Sequence, residues 1–300
     1  MSVPSIFDRE LVRRRRARAA AHLADHAFLL DRVVDDLIER LAFVNRAFDD
    51  VVIVGAHDGR VGRRVRSALP AARVLEVDHA IELVALCDGP SVLGDEEMLP
   101  FEPQSFDCVI APLTLQFTND LPGALWQLQN ALKPDGLLLG AIVGGRTLEE
   151  LAEVMALAES SVRGGMSPRV APRVDVRDLG ALLQRAGFAM PVTDSDCMTV
   201  TYATLFDLIR DLKGMGATNA LVERSRVPTT RGLLLRAAEL YAERHGLDDG
   251  RINATFEVLT MTGWAPHPDQ PRPLKPGSAT HRLADALGTV EIKTDDKAAG

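Results

Sequence analysis

The sequence predicts an α/β protein built on a mostly parallel sheet with helices on both faces. Three observations carry the prediction. Short apolar runs alternate with helical patterns through the first half of the chain. Several of these runs, VVIV at 51–54 above all, are continuously apolar rather than alternating. Strands of that kind are buried on both faces, as in a parallel sheet covered by helices. In VVIVGAHDGR (51–60) such a run then meets Gly55, and a helical pattern begins at Arg60. That is how an open α/β sheet leads its first strand into a ligand loop.

Taken in order, AFLLDRVVDDLIERLAFV (27–44) places Leu30, Val33, Leu37, Leu41 and Val44 on one stripe of an amphipathic helix. Strands are expected at 51–54, 73–77, 91–93, 106–113 and 136–143, with helices at 60–68, 80–86, 120–132 and 147–161 between them. KPDG (133–136) is a turn signal, with Pro134 ending a helix and Gly136 free to take positive φ. DVRDLGALLQRAGF (175–188) buries Leu179, Leu182, Leu183 and Ala186 and stops at Gly187. A last long helix fits 229–245, and INATFEVLTMTGW (252–264) reads as a strand. From Ala265 onward the proline content predicts an extended or disordered arm. The organisation is then a helical segment (1–48), a cofactor-binding core (49–146), the rest of the sheet with a helical cap (147–264) and the arm (265–300).

The composition narrows the functional classes. A net charge of -8 argues against a general nucleic-acid binder, whose footprint is a broad basic surface. Cys87, Cys108 and Cys197 have neither disulfide-framework nor zinc-cluster spacing. No run reaches the roughly 20 apolar residues of a membrane span, so a cytoplasmic protein is expected. The basic run Arg13–Arg16 with Arg18 offers a contact for an acidic partner or the inner-membrane surface, but a solvated helix face is the commoner use of such a run. The oligomeric state stays open.

The Gly55–Ala56–His57–Asp58–Gly59 loop holds two glycines, which let backbone approach a ligand, but it is neither the dinucleotide G-x-G-x-x-G nor a P-loop. Asp78, followed by His79, stands 23 residues past Gly55 at the end of a predicted strand, where an acid accepts from ribose hydroxyls. A turn or helix-cap aspartate is the simpler reading of it alone. GDEEMLPF (94–101) brings Asp95 and Glu96 after the third strand; Asp95 suits an adenine amino group, and Glu96 with Glu97 also suits ordinary surface charge. After the fourth strand, Leu113, Gln116 and Asn119 are placed to face a substrate.

The glycine loop, Asp78, G-D-E-E-x-L-P-F, S-F-D-C-V-I and L-K-P-D-G, in that order, resemble the class I S-adenosylmethionine-dependent methyltransferases. More narrowly, IFDRELVRRRRARAA, NDLPGALWQLQNALKPDG, GGMSPRVAPRVDVRDLGALLQRAGF and DLKGMGATNA are similar to the complex I assembly factor 5 family and its bacterial relatives, which are often labelled as biotin-pathway malonyl-carrier-protein methyltransferases. The resemblance implies a Rossmann-like seven-stranded sheet with an antiparallel last strand and S-adenosylmethionine at the carboxyl ends of the early strands. Gly55 and Gly59 would border its methionine part, Asp78 the ribose, and Asp95 with Glu96 the adenine, with Ala56, His57 and His79 in the same cofactor-binding site. It also implies a protein substrate, an iron–sulfur subunit of complex I, in which the mitochondrial member hydroxylates an arginine.

The loop departs from the family pattern, with Ile53 at the strand-end acid and His57 at the central glycine. A side chain there crowds the place where backbone meets ligand, so the pocket has shifted or the affinity has fallen. A lone histidine is more often a bystander than a base. Gln116 orients but cannot take a proton, and no metal-binding triad can be picked from spacing. Three readings follow: an enzyme modifying a complex I subunit by methyl transfer or arginine hydroxylation, a non-catalytic assembly scaffold, or a methyltransferase for a carrier-bound acyl group. Arg163, Arg169 and Arg173 in the cap are candidates for an acidic group, though surface arginines are commoner.

Overall fold

The run VVIV lies at the centre of a seven-stranded sheet, within β1 (Asp50–Val54), in a computed structural model that describes residues 5–270 and 283–289. The other strands are β2 (Arg73–Asp78), β3 (Ser91–Leu93), β4 (Phe106–Pro112), β5 (Leu132–Val143), β6 (Ala189–Tyr202) and β7 (Ile252–Trp264), in spatial order β3-β2-β1-β4-β5-β7-β6. The first five pair in parallel, and β7 runs antiparallel to both its neighbours. The strand order reverses between β1 and β4, and that switch opens a crevice at the strands' carboxyl ends.

Successive residues of β1 serve opposite layers. Val51 and Ile53 pack with α2 (Phe28–Ala42), α3 (Arg60–Ala68), α6 (Glu149–Arg163), α8 (Leu205–Gly214) and α9 (Arg231–His245). Val52 and Val54 pack with α5 (Leu121–Ala131) and α7 (Val176–Arg185). This two-sided burial is what the unbroken apolar run encodes, at roughly 1.5–3 kcal/mol for each fully buried side chain. Ahead of α2 come α1 (Arg9–Ala19) and a tight 3₁₀ stretch, Ala20–His26. Asp8, Asp120, Asp175, Thr204 and Thr230 cap α1, α5, α7, α8 and α9 through side-chain oxygens that accept first-turn N–H groups. No helix among the described residues is long and apolar enough to cross a membrane.

Several expectations need correction. β6 and α8 fall where no element was expected. The helix at 80–86 is a single turn, α4 (Ile81–Val84). The KPDG stretch continues directly into β5, and its positive φ is at Asp135 (64°), because the chain bulges there as β4 shifts register between Phe106 and Cys108. Ala265 belongs to the core rather than to an arm: it is buried, and its N–H donates to Gly136 O. Contacts divide the chain at Pro266; beyond it residues 267–270 turn and α10 (Leu283–Leu287) is a short helix, while residues 271–282 of the proline-rich stretch lie outside the described residues.

Candidate functional site

The loop after β1 is shaped by its own packing. Gly55 (φ 93°) and Gly59 (φ 77°) are left-handed, and a Cβ would come within 2.8 Å of Thr114 Cβ at the first and of Leu86 O at the second. The N–H groups of Gly55 and Ala56 both donate to Val77 O, at 2.8 and 2.9 Å. His57 is also left-handed (φ 52°), which swings its ring under β4, where Nε2 donates to Pro112 O at 2.8 Å. Burial, reinforced by the guanidinium of Arg16, lowers the His57 pKa to about 4. The ring is therefore neutral at pH 7, with its proton on Nε2 and Nδ1 turned to Arg16 Nη2 at 3.4 Å.

Beyond the loop, the acids are already paired. Asp78 Oδ2 accepts from Arg16 Nη2 at 2.6 Å and from the His57 N–H at 3.1 Å, while Oδ1 accepts from the Ala80 N–H at 3.1 Å. Arg9 donates to Asp95 Oδ1 at 2.7 Å and to Glu96. Glu96 also accepts from Thr114 Oγ1 and faces His79 Nδ1 at 3.2 Å. Burial raises the Glu96 pKa, but the hydrogen bond and charge of His79, with Arg9 and Arg16, more than offset it and hold the carboxyl well below the usual range. Glu96 is thus not surface charge. The solvated-face reading of the basic run is likewise corrected at Arg16, which is only 4% exposed. Val12, Arg16, Ala19 and Leu23 are all buried and recur at helical spacing, so Arg16 sits on the inward stripe.

The fold implies S-adenosylmethionine here, and the residues as placed do not accommodate it. The Asp78 side chain is 0% exposed, so no ribose reaches it while Arg16 is bound. His79 is buried with Nε2 unpartnered. It borders a small cavity of about 220 Å³ with Arg9, Leu93, Gly94 and Asp95.

Next to the loop a larger cavity of about 510 Å³ is walled by His57, Leu113 and Gln116 on the sheet side and by α2, α6 and α8. Gln116 Nε2 donates to Leu113 O at 2.9 Å, which leaves Oε1 buried without a partner. Asn119 is used elsewhere: its Oδ1 accepts from the N–H groups of Ile6 and Phe7, both at 2.7 Å, so it fastens the segment leading into α1. Of the cap arginines, Arg163 and Arg169 pair with buried Glu159, and Arg169 lines the cavity. Arg173 lines it too and donates to Gly145 O at 2.8 Å; burial lowers its pKa.

One cavity residue escaped the sequence reading altogether. His26 lines the wall with Nδ1 2.7 Å from Asp211 Oδ1, a histidine oriented by a carboxylate and so left with Nε2 for other work. The partners are 185 residues apart, so no local pattern joins them. Gly214 supplies an indirect signal, since a Cβ there would fall 1.9 Å from the His26 ring.

A methyltransferase-domain family model matches residues 52–140, the part of the chain that carries the loop and the acids. The YcgJ protein of Bacillus subtilis shares the fold, with a TM-score of 0.54 at 16% identity over 79% of this chain and 99% of that one. A malonyl-[acyl-carrier protein] O-methyltransferase of Xylella fastidiosa is 32% identical over 87% of this chain and 89% of its own. The arginine-hydroxylase NDUFAF5 of Danio rerio, a mitochondrial protein, is 36% identical over 97% of this chain and 92% of its own. With that identity over nearly the whole of both chains, this protein belongs to the NDUFAF5 family of the methyltransferase superfamily.

Proposed function

We propose that the chain is a respiratory complex I assembly factor that modifies an arginine of a protein subunit held in the larger cavity. The observation that carries this reading is Gln116 Oε1, a buried acceptor without a partner at the cavity wall. An unpaired buried carbonyl oxygen costs about 1–3 kcal/mol, which an N–H of a substrate guanidinium would relieve. Leu113 packs beside it, and His26, held by Asp211, is the candidate proton acceptor in the same cavity. The methyltransferase domain supports S-adenosylmethionine as the cofactor, with affinity reduced by His57 and by the closure at Asp78.

The test is a deletion strain complemented with wild type, Gln116→Leu or His26→Gln. Complex I subunits are then mapped by mass spectrometry. Wild type restores an arginine modification that the deletion lacks, and the mass increment separates an added oxygen from an added methyl group; each variant leaves most of that arginine unmodified. Complete modification in both variants removes Gln116 and His26 from the site. Normal assembly with the wild-type protein and no modified arginine would favour the scaffold reading.

A second reading, methyl transfer to a carrier-bound acyl group, draws on the cations Arg173 and Lys213 that line the cavity and suit a carboxylate. It predicts that the purified protein forms a methyl ester on malonyl carrier protein.

A further inference from the structure

We propose that α1 is an internal, displaceable ligand of the cofactor crevice: Arg16 and Arg9 occupy the acids at the ends of β2 and β3, and S-adenosylmethionine enters only when α1 leaves. The inference concerns the cofactor position of the fold and not the substrate in the larger cavity, so the two readings fail separately.

Geometry comes first. Arg9 and Arg16 are seven residues apart, two helical turns, and so project from one face of α1. Along that face they meet Asp78 at one end and Asp95 with Glu96 at the other, the two acid positions that a nucleoside would span. At the acids themselves the match is between charges, while the apolar contacts of α1 are few, with Val12 and Ala19 its only fully buried apolar side chains.

Imperfect satisfaction is the second argument. Arg9 Nε, Arg16 Nε and His79 Nε2 are all buried without partners, so the fit of α1 leaves three polar atoms unserved within one crevice. A buried ion pair gives back little more than it costs to desolvate, which makes such a plug exchangeable for a ligand that serves the same acids. The small cavity beside His79 gives an incoming base a place to start.

The third argument is the tether. Residues 6–8 are strapped down before α1 begins: Asn119 holds the N–H groups of Ile6 and Phe7, the Asp8 N–H donates to Ala220 O at 2.8 Å, and Arg224 pairs with Asp8 at 3.0 Å. The side chains that make these contacts are not bonded to Asp78, Asp95 or Glu96. They help hold α1 down over the crevice, and they give a handle on α1 that does not contact Asp78, Asp95 or Glu96.

The test uses full-length protein, calorimetric titration with S-adenosylmethionine, and hydrogen exchange of residues 9–19 with and without it. The variants are Arg16→Gln, which keeps hydrogen-bond donors but no charge, and Asn119→Ala, which loosens the strap without altering the crevice. Both are expected to bind at least tenfold more tightly than wild type. In wild type, saturating ligand should raise exchange in α1 at least tenfold. If Arg16→Gln does not fold, Asn119→Ala and wild-type exchange decide. Binding that leaves α1 equally or more protected overturns the proposal, as does a folded variant that binds no more tightly than wild type. No binding in wild type or in Asn119→Ala also overturns it and assigns the closure to His57.

Discussion

At the scale of single residues, His57 replaces what a glycine would leave open. Its ring fills the turn, ties the loop to Pro112 and stays neutral because burial and Arg16 lower its pKa from 6.5 to about 4. A histidine that is harder to protonate when folded stabilises fully above its unfolded pKa. That contribution is lost as pH falls from 6.5 toward 4, because the unfolded chain then takes up the proton first. Wild type should therefore lose about 2 kcal/mol from this group between pH 7.5 and 5, at about 1.4 kcal/mol per pH unit once the unfolded histidine is protonated. His57→Asn, which tolerates positive φ, should remove that slope while costing stability at neutral pH. Urea unfolding at pH 7.5, 6 and 5 checks it, and equal slopes in the two proteins would show that His57 is not buried as described. Buried carboxylates such as Glu96 add little in this window, since their stability is lost as pH falls from about 5 through the usual carboxylate range and below it.

Individual elements show how far the sequence could be read. β1 to β5 and β7 announce themselves by dense apolar runs, and α2 by a stripe whose first four members are all buried. β6 does not, because it pairs only with β7 at the sheet edge and carries Pro191, Asp194, Ser195 and Asp196 among its residues. For α1 the pattern was present but outweighed, since four consecutive arginines suggest a solvated face while Val12, Arg16 and Ala19 mark an inward one. The acids Asp78, Asp95 and Glu96 were legible as a set, whereas their arginine partners lie 62 to 87 residues away in sequence and are joined only by the fold. What starts α1 is local: Asp8 accepts the Leu11 N–H at 3.0 Å and also holds Arg224. Asp8→Ala should cost about 1 kcal/mol through the lost cap, and Asp8→Asn should recover most of it, as read by thermal or urea unfolding. Equal losses in the two variants would place the energy in the Arg224 pair instead.

The molecule as a whole uses one sheet end for two purposes. The crevice is closed by the chain's own arginines; beside it, with Arg16 and His57 in the shared wall, a cavity of about 510 Å³ lies between the sheet and the helices. That second space is walled partly by irregular chain at 169–173, which Glu159 secures by accepting from Arg169 and from the Ser167 N–H. Burial pushes the Glu159 carboxyl up, but these partners outweigh it and bring its pKa to about 2, so the wall remains clamped across the neutral range. Ala171 lies in that wall, and Ala171→Trp would place a large side chain in the cavity while leaving the loop, the acids and the His26–Asp211 pair unsubstituted. Irregular chain can shift to admit it, so the cost should fall near the lower end of the roughly 1–3 kcal/mol typical of overpacking. The expected outcome is a folded protein, with a melting temperature a few degrees lower at most, that restores little of the arginine modification in the deletion strain. S-adenosylmethionine affinity should be unchanged, which separates the cavity from the crevice. If the folded variant modifies its subunit as well as wild type does, the substrate must approach through the α1 side of the sheet, and the larger cavity serves another ligand.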